Sequence, residues 1–136
     1  MNPTSTHLMV PTDAPARATC LGPDGVVAHV SNVIGMIQGR WKLAILFRLF
    51  AAPAMRTLQL KRDMPGISQK MLTQQLRELV QDRLVERVDF DEKPLRVEYR
   101  LSSLGAQLMP VLVAARHFSV SHAAAPSVHA LQTRDP

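Results

Sequence analysis

The sequence predicts a mainly α-helical chain that carries one small β-hairpin. Two observations lead to this prediction: apolar residues recur at helical spacing over much of the chain, and the pattern changes to strand-like alternation only within residues 84–101. The 136 residues suffice for one domain with a real core but leave little room for two. Aromatic residues make up only 4% of the chain, so Leu, Val, Ile, Met and Ala must form the core.

Composition divides the chain into three regions. Residues 1–24 carry four prolines and no periodic pattern, which predicts a flexible N-terminal arm. Residues 25–118 contain all the periodic segments and are expected to fold as one domain. Residues 119–136 are rich in Ala, Ser and Pro and are expected to form a C-terminal tail.

Three helices are predicted before the Pro-Gly pair at residues 65–66. The first runs from Val26 to Gln38, the second is apolar on most sides and stops before Pro53, and the third spans Arg56 to Asp63. The third helix should direct Lys61 and Arg62 outward. Val26, Val30, Val33 and Ile37 fall on one side of the first helix, as an apolar stripe that a second copy of the chain is expected to cover. The residues expected to be buried are Trp41, Ile45, Leu46, Leu49 and Phe50 in the second helix and Leu60 in the third.

The stretch SQKMLTQQLRELVQ predicts a fourth helix with one apolar and one polar face. Ser68 is suited to cap it, because its hydroxyl can accept a hydrogen bond from a free amide of the first turn. The third helix, the Pro-Gly turn and this helix together form a helix-turn-helix pattern. The apolar arc consists of Leu72, Leu76 and Leu79, and the polar face and its flank consist of Lys70, Gln74, Arg77, Gln81, Gln69 and Thr73.

A hairpin and a last helix complete the pattern. LVERVDF and LRVEYRL read as strands around the turn DEKP, with Leu95, Val97, Tyr99 and Leu101 alternating with charged residues. Ser102 or Ser103 could cap the last helix, whose inner face is expected to hold Leu104, Leu108, Leu112 and Ala115. Helices, a helix-turn-helix, a hairpin and a helix, in this order, predict a winged helix-turn-helix fold.

The charge of the chain favours nucleic acid or another polyanion as a partner, and the helix-turn-helix followed by a hairpin favours double-stranded DNA. The net charge is +5, and the whole excess lies between residues 40 and 100. A helix fits the major groove, where Gln can pair with adenine and Arg with guanine, while a basic hairpin could reach the backbone or the minor groove. A solvated helix face without a partner would look the same by itself. The candidate DNA-binding residues are Ser68, Gln69, Lys70, Thr73, Gln74 and Arg77 on the helix and Lys93 and Arg96 on the hairpin.

Five motifs follow one another between residues 39 and 118: GRWKLAILF, PGIS, LTQQLRELV, PLRVEYRL and LGAQLMPVL. In this order and without a gap, they resemble the HxlR family of bacterial winged helix-turn-helix regulators. The resemblance implies a homodimer that pairs through its first and last helices and places two recognition helices on a palindromic operator. Arg83 stands where the family usually has Gly, a position that often needs positive φ, and Gln59 stands where the family has Glu.

Cys20 is the single cysteine and the candidate redox sensor that the resemblance implies, since many relatives carry an N-terminal cysteine that senses oxidants or reactive carbonyls. A thiol without such a role is the alternative. The scattered histidines predict no metal site, and the sequence has no cofactor or catalytic motif, so an enzyme is not expected.

The expected place of action is the cytoplasm, without a membrane segment or secretory signal. The main alternative function is a small-molecule sensor of winged-helix fold, with its ligand pocket at the dimer interface. A protein-interaction module is the more distant alternative.

Overall fold

The structure is a computed structural model that describes residues 13–122. These residues fall into two compact units, divided between residues 43 and 44. The order of elements is the predicted one, with one additional helix at the start. The elements are α1 Ala14–Leu21, α2 Val26–Ile37, α3 Lys42–Ala51, α4 Thr57–Asp63, α5 Gln69–Gln81, β1 Val85–Asp89, β2 Val97–Leu101 and α6 Ser103–Ser121.

The first unit contains α1, which the sequence did not predict. The Asp13 side chain caps this helix by accepting from the amide of Ala16 at 3.2 Å, and Pro15 lies in the first turn, where its missing N–H costs nothing. Local capping therefore outweighs the irregular composition in this part of the predicted arm. Helix α2 agrees with the predicted first helix to within one residue, but none of its residues is buried.

An apolar stretch from Ala14 to Ile37 has the length and composition of a membrane-spanning helix, with a mean hydropathy of 1.2 over 18 of its residues. The sequence was expected to hold no stretch of that length. The finding is weak evidence for a membrane segment, because a turn separates Leu21 from Val26 and leaves two helices of 8 and 12 residues. Each is shorter than the ~20 residues that a span requires.

The second unit has its core around α3. Ile45, Leu46 and Leu49 are buried as predicted. The prediction is wrong for Phe50, which is 54% exposed because it lies about 90° around the helix from the centre of that buried arc. It is also wrong for Trp41, which precedes α3 and is only half-buried. The guanidinium of Arg40 lies over its ring.

Helices α4 and α5 form the predicted helix-turn-helix. Leu60 is fully buried, while Lys61 and Arg62 point outward as predicted. Gly66 takes a φ of +93° in the connecting turn, a conformation that glycine adopts without steric cost. Asp63, the last residue of α4, forms an ion pair of 2.6 Å with the guanidinium of Arg48 on α3. This pair links the end of α4 to the core helix.

The hairpin is antiparallel, with Val85 opposite Leu101 and Asp89 opposite Val97. Met55, just before α4, bridges to Tyr99 through two backbone hydrogen bonds of 2.8 and 2.9 Å. This bridge attaches β2 to the start of the helix-turn-helix. The predicted second strand is too long, because Leu95 lies outside β2 and is 71% exposed.

Helix α6 begins at a close contact with the hairpin. Ser102 caps it by accepting from the amide of Gly105 at 2.9 Å, and a Cβ at Gly105 would lie 2.1 Å from the carbonyl oxygen of Leu84. The helix therefore lies close to this carbonyl. Its buried face consists of Gly105, Met109 and Leu112. The predicted inner face is wrong for Leu104 and Ala115, which are exposed, whereas Leu112 is buried and Leu108 half-buried.

Candidate nucleic-acid interface

The start of α5 is fixed by the predicted cap. The hydroxyl oxygen of Ser68 accepts from the amide of Met71 at 3.0 Å, so this side chain keeps its O–H and one acceptor lone pair for a further partner. Three leucines, Leu72, Leu76 and Leu79, are buried beneath the helix. Since one side of α5 is anchored in this way, the opposite side must face solvent.

The polar side of α5 forms one continuous surface. Its residues line a shallow, open depression of about 740 Å³ that follows the helix. Five of the six residues predicted to contact DNA from this helix meet there, and the sixth, Ser68, lies at the cap before the first turn. The lining residues are Gln69, Lys70, Thr73, Gln74, Arg77, Glu78 and Gln81.

Two side-chain pairs order this surface. The amide nitrogen of Gln74 donates to a carboxylate oxygen of Glu78 at 3.2 Å, and that of Gln69 reaches the hydroxyl of Thr73 at 3.5 Å. Both pairs have the i,i+4 spacing that brings side chains together on a helix. Glu78 was not among the predicted site residues, although its spacing from Gln74 was visible in the sequence.

The two cations on the same surface remain available to an anionic partner. Lys70 and Arg77 are exposed, and within residues 13–122 neither makes an ion pair. The polar face of α5 therefore offers amide groups, hydroxyl groups and two positive charges that make no ion pair with a described residue, beside the one carboxylate of Glu78. Such a surface can hydrogen-bond to base edges and attract phosphates.

On the hairpin, Arg96 and Lys93 differ in their surroundings. Arg96 pairs with Glu98 at 3.2 Å and with Glu92 at 3.6 Å, and its guanidinium lies 4.0 Å from the ring centre of Phe90. Lys93 is exposed at the turn and makes no ion pair with any described residue. The charge of Arg96 is therefore largely compensated inside the hairpin, whereas that of Lys93 is not.

The description of the hairpin as basic is wrong. Residues 85–101 hold four Lys or Arg and five Asp or Glu, a net charge of −1. Two further arginines are paired across or along the strands: Arg100 with Glu86 at 3.0 Å and Arg87 with Asp89 at 3.9 Å. The positive net charge of residues 40–100 therefore does not come from the hairpin.

The positive charge lies instead in the segment from α3 to the end of α5. Residues 40–84 hold nine Lys or Arg against three Asp or Glu. Arg56, Lys61 and Arg62, at the start and end of α4, are exposed and make no ion pair in the described part of the chain. They are cationic residues of the helix-turn-helix that were not among the predicted site residues.

Cys20 belongs to the other compact unit. It lies in the last turn of α1 and is 2% exposed, with no disulfide bond. The sequence placed it in a flexible arm, where a thiol would be open to solvent. The thiol is instead shielded from reagents in solution.

Comparison with protein families gives a match over residues 36–125 to the HxlR-like helix-turn-helix model. Among curated proteins, the HTH-type transcriptional regulator YdzF of Bacillus subtilis (strain 168) is 44% identical over 85 residues, which cover 62% of this chain and 78% of YdzF.

Solved structures share the fold. A MarR-family transcriptional regulator from Enterococcus faecalis V583 superposes with a TM-score of 0.68 at 36% identity, over 71% of this chain and 87% of that chain. The redox regulator HypR in its reduced form gives a TM-score of 0.66 at 31% identity, over 71% and 94% of the two chains. The protein described here belongs to the HxlR-like helix-turn-helix family and is a DNA-binding transcriptional regulator with a winged helix-turn-helix.

Proposed function

We propose that the protein binds a palindromic operator as a homodimer and reads its sequence with α5. The observation that supports this proposal is the polar face of α5, which is held outward by three buried leucines and carries amides, hydroxyls and unpaired cations. In helix-turn-helix proteins the second helix lies in the major groove, and its N-terminal residues contact base edges.

The residues of α5 divide by chemistry. Gln74 can read adenine and Arg77 guanine, because each can make two hydrogen bonds to the major-groove edge of that base. Ser68, Gln69 and Thr73 are short or flexible polar groups near the start of the helix, suited to bases or phosphates. Lys70 acts as a phosphate contact.

Phosphate contacts outside α5 come from α4 and from the turn between β1 and β2, the hairpin that forms the wing of the winged helix-turn-helix. Arg56, Lys61 and Arg62 carry charges that no carboxylate compensates within residues 13–122, and in this fold class the first helix of the motif crosses the backbone. Lys93 adds one contact from the wing. Arg96 remains a candidate backbone contact, but its ion pairs assign it first to holding the wing together.

Exposed apolar residues on two helices support dimerisation. Val30 and Ile34 of α2 are more than half exposed, as are Val111 and Phe118 of α6. Pairing with a second copy about a two-fold axis would cover each of these faces. It would also repeat the recognition helix at the ~34 Å spacing of successive major-groove turns.

A response to oxidants or electrophiles through Cys20 is a second proposal. It is supported by the similarity to the redox regulator HypR and by the presence of a single thiol. Because Cys20 is buried, the thiol must become exposed before it reacts, so native protein should react with a thiol reagent far more slowly than unfolded protein. If native and unfolded protein reacted at equal rates, burial would not protect the Cys20 thiol.

The alternative of a small-molecule effector uses the same exposed face of α2. A pocket lined by its Met and Val side chains would form only when two copies meet, so an effector would change dimerisation and DNA affinity together. In either case the protein acts on DNA in the cytoplasm.

The proposal is tested by selecting fragments from random DNA with purified protein. We expect one enriched sequence with two inverted half-sites. Gln74→Ala or Arg77→Ala should then cost ~1–3 kcal/mol on that operator and little on random DNA. Equal losses on both DNAs would identify a phosphate contact instead, and no enriched sequence would contradict specific recognition.

A further inference from the structure

We propose that Glu78 is a positioning residue that holds the amide of Gln74 in the orientation that reads adenine. This inference rests on the proposed function and deepens it, because it names the base and adds a residue to the recognition apparatus. It starts from the 3.2 Å hydrogen bond between the two side chains on the outer face of α5.

The chemistry of the pair fixes which way the amide points. An ionised carboxylate can only accept hydrogen bonds, so the group that Gln74 turns toward Glu78 must be its NH₂. The amide oxygen of Gln74 then points away from Glu78, and one N–H of the same NH₂ remains for another partner. Gln74 therefore presents one acceptor and one donor in a defined order.

That order matches one base. In the major groove, adenine presents a donor at N6 next to an acceptor at N7, and a glutamine amide can satisfy both. A glutamine without a neighbour can rotate its amide and offer the donor and acceptor in either order. The hydrogen bond to Glu78 removes the second arrangement before DNA binds, which lowers the ordering cost and sharpens the preference for adenine.

The position of Glu78 argues against direct base reading by this residue. It lies one helical turn beyond Gln74, about 6 Å further from the N-terminus of α5, whose first turns reach base edges. Glu78 is half-buried, whereas Gln74 is exposed. Its charge also repels phosphates, so for DNA affinity alone a carboxylate at this place is unfavourable.

The experiment measures binding to the selected operator, to each of its single base-pair variants and to random DNA. The variants are Glu78→Gln, Gln74→Ala and the double substitution, with Glu86→Gln, an exposed glutamate of β1 outside that face, as the matched control. In Glu78→Gln the new amide both donates and accepts, so Gln74 can bind in either orientation. Thermal unfolding of each variant shows that the fold is retained.

We expect Glu78→Gln to reduce the preference for adenine at the base pair read by Gln74 by roughly tenfold. Binding to random DNA should stay equal or become tighter, because a negative charge is removed. In the Gln74→Ala background, Glu78→Gln should change nothing at that base pair, since the residue it positions is absent. Glu86→Gln should leave the base preferences as they are.

Two outcomes would overturn the inference while leaving the proposed function intact. One is an unchanged preference at the base pair of Gln74 in Glu78→Gln. The other is a loss of preference at a different base pair in both backgrounds, which would make Glu78 a direct base contact. A native protein that binds all sequences equally would overturn the proposed function itself.

Discussion

At the scale of single residues, Arg83 shows how a backbone requirement can be recognised in the sequence. The resemblance to the HxlR family implied a Gly at this position, and the φ of 65° at Arg83 confirms the expected left-handed conformation. The chain turns there from α5 into β1, with the amide of Leu84 donating to the carbonyl oxygen of Leu79 at 3.0 Å. A side chain in this conformation costs ~1 kcal/mol or more.

We therefore expect Arg83→Gly to raise the free energy of unfolding by up to about 1 kcal/mol, measured by denaturant titration. The matched control is Gln75→Gly, in the middle of α5, which should lower it by about 1 kcal/mol. A loss of stability in Arg83→Gly would mean that contacts of the arginine side chain outweigh the backbone strain.

Local chemistry made several residues predictable. The caps at Ser68 and Ser102 depend only on a hydroxyl beside the first turn of a helix. Gln59 keeps the cap of α4, since its side-chain oxygen accepts from the amide of Arg56 at 2.8 Å. The role of Arg96 was not predictable, because its charge is compensated by residues that only the folded hairpin brings within reach.

At the scale of elements, the junction of α6 with the hairpin depends on one missing side chain. A Cβ at Gly105 would lie 2.1 Å from the carbonyl oxygen of Leu84, and this backbone atom cannot move aside without disturbing the start of β1. Gly105→Ala should therefore destabilise the protein by ~1–3 kcal/mol. Ala106→Gly, on the exposed side of the same turn, should cost no more than about 1 kcal/mol.

Thermal or denaturant unfolding of both variants measures the difference. The close contact predicts that adding a methyl group at residue 105 is more harmful than removing one at residue 106. The reverse order would show that α6 can shift away from the hairpin at little cost.

The wing gives a prediction that separates charge from architecture. Lys93→Ala should weaken binding to all DNA, because it removes one phosphate contact. The slope of the logarithm of the binding constant against the logarithm of the salt concentration should become less steep by about one unit. Arg96→Ala should chiefly lower the stability of the hairpin, since Arg96 pairs with two carboxylates and stacks on Phe90. Affinity measured from 50 to 200 mM salt tests both. If the salt dependence of binding were unchanged in Lys93→Ala, the turn of the hairpin would not contact DNA.

Element order was predictable, because hydrophobic periodicity specifies it. The side of each helix that is buried was less predictable than the order of the elements. The inner side of α6 is rotated from the predicted one because the helix packs closest where Gly105 meets Leu84, a contact between residues 21 positions apart in the sequence. Helix α1 escaped prediction because Asp13 and Pro15 start it in a segment without a hydrophobic period.

At the scale of the whole molecule, dimerisation should be linked to stability. Helix α2 has no buried residue, and Val30 and Ile34 lie exposed on its apolar side. If a second copy covers them, the melting temperature should rise with protein concentration. A melting temperature that is independent of concentration would contradict this linkage.

A charge on that side of α2 should separate the two copies. We expect Val30→Asp to give a folded monomer or an aggregate that no longer binds the operator, although α5 is untouched. Asn32→Asp, about 160° around the same helix, should stay dimeric and bind. A dimeric Val30→Asp variant, seen by sedimentation, would place the interface elsewhere.

The central claim is that two copies of this chain read one operator with paired α5 helices. Sedimentation of the native protein with a duplex carrying the selected operator tests it most directly. The predicted result is two chains per duplex, with inverted half-sites whose centres lie about 10 base pairs apart. One chain per duplex, or a selected site without an inverted repeat, would contradict the claim.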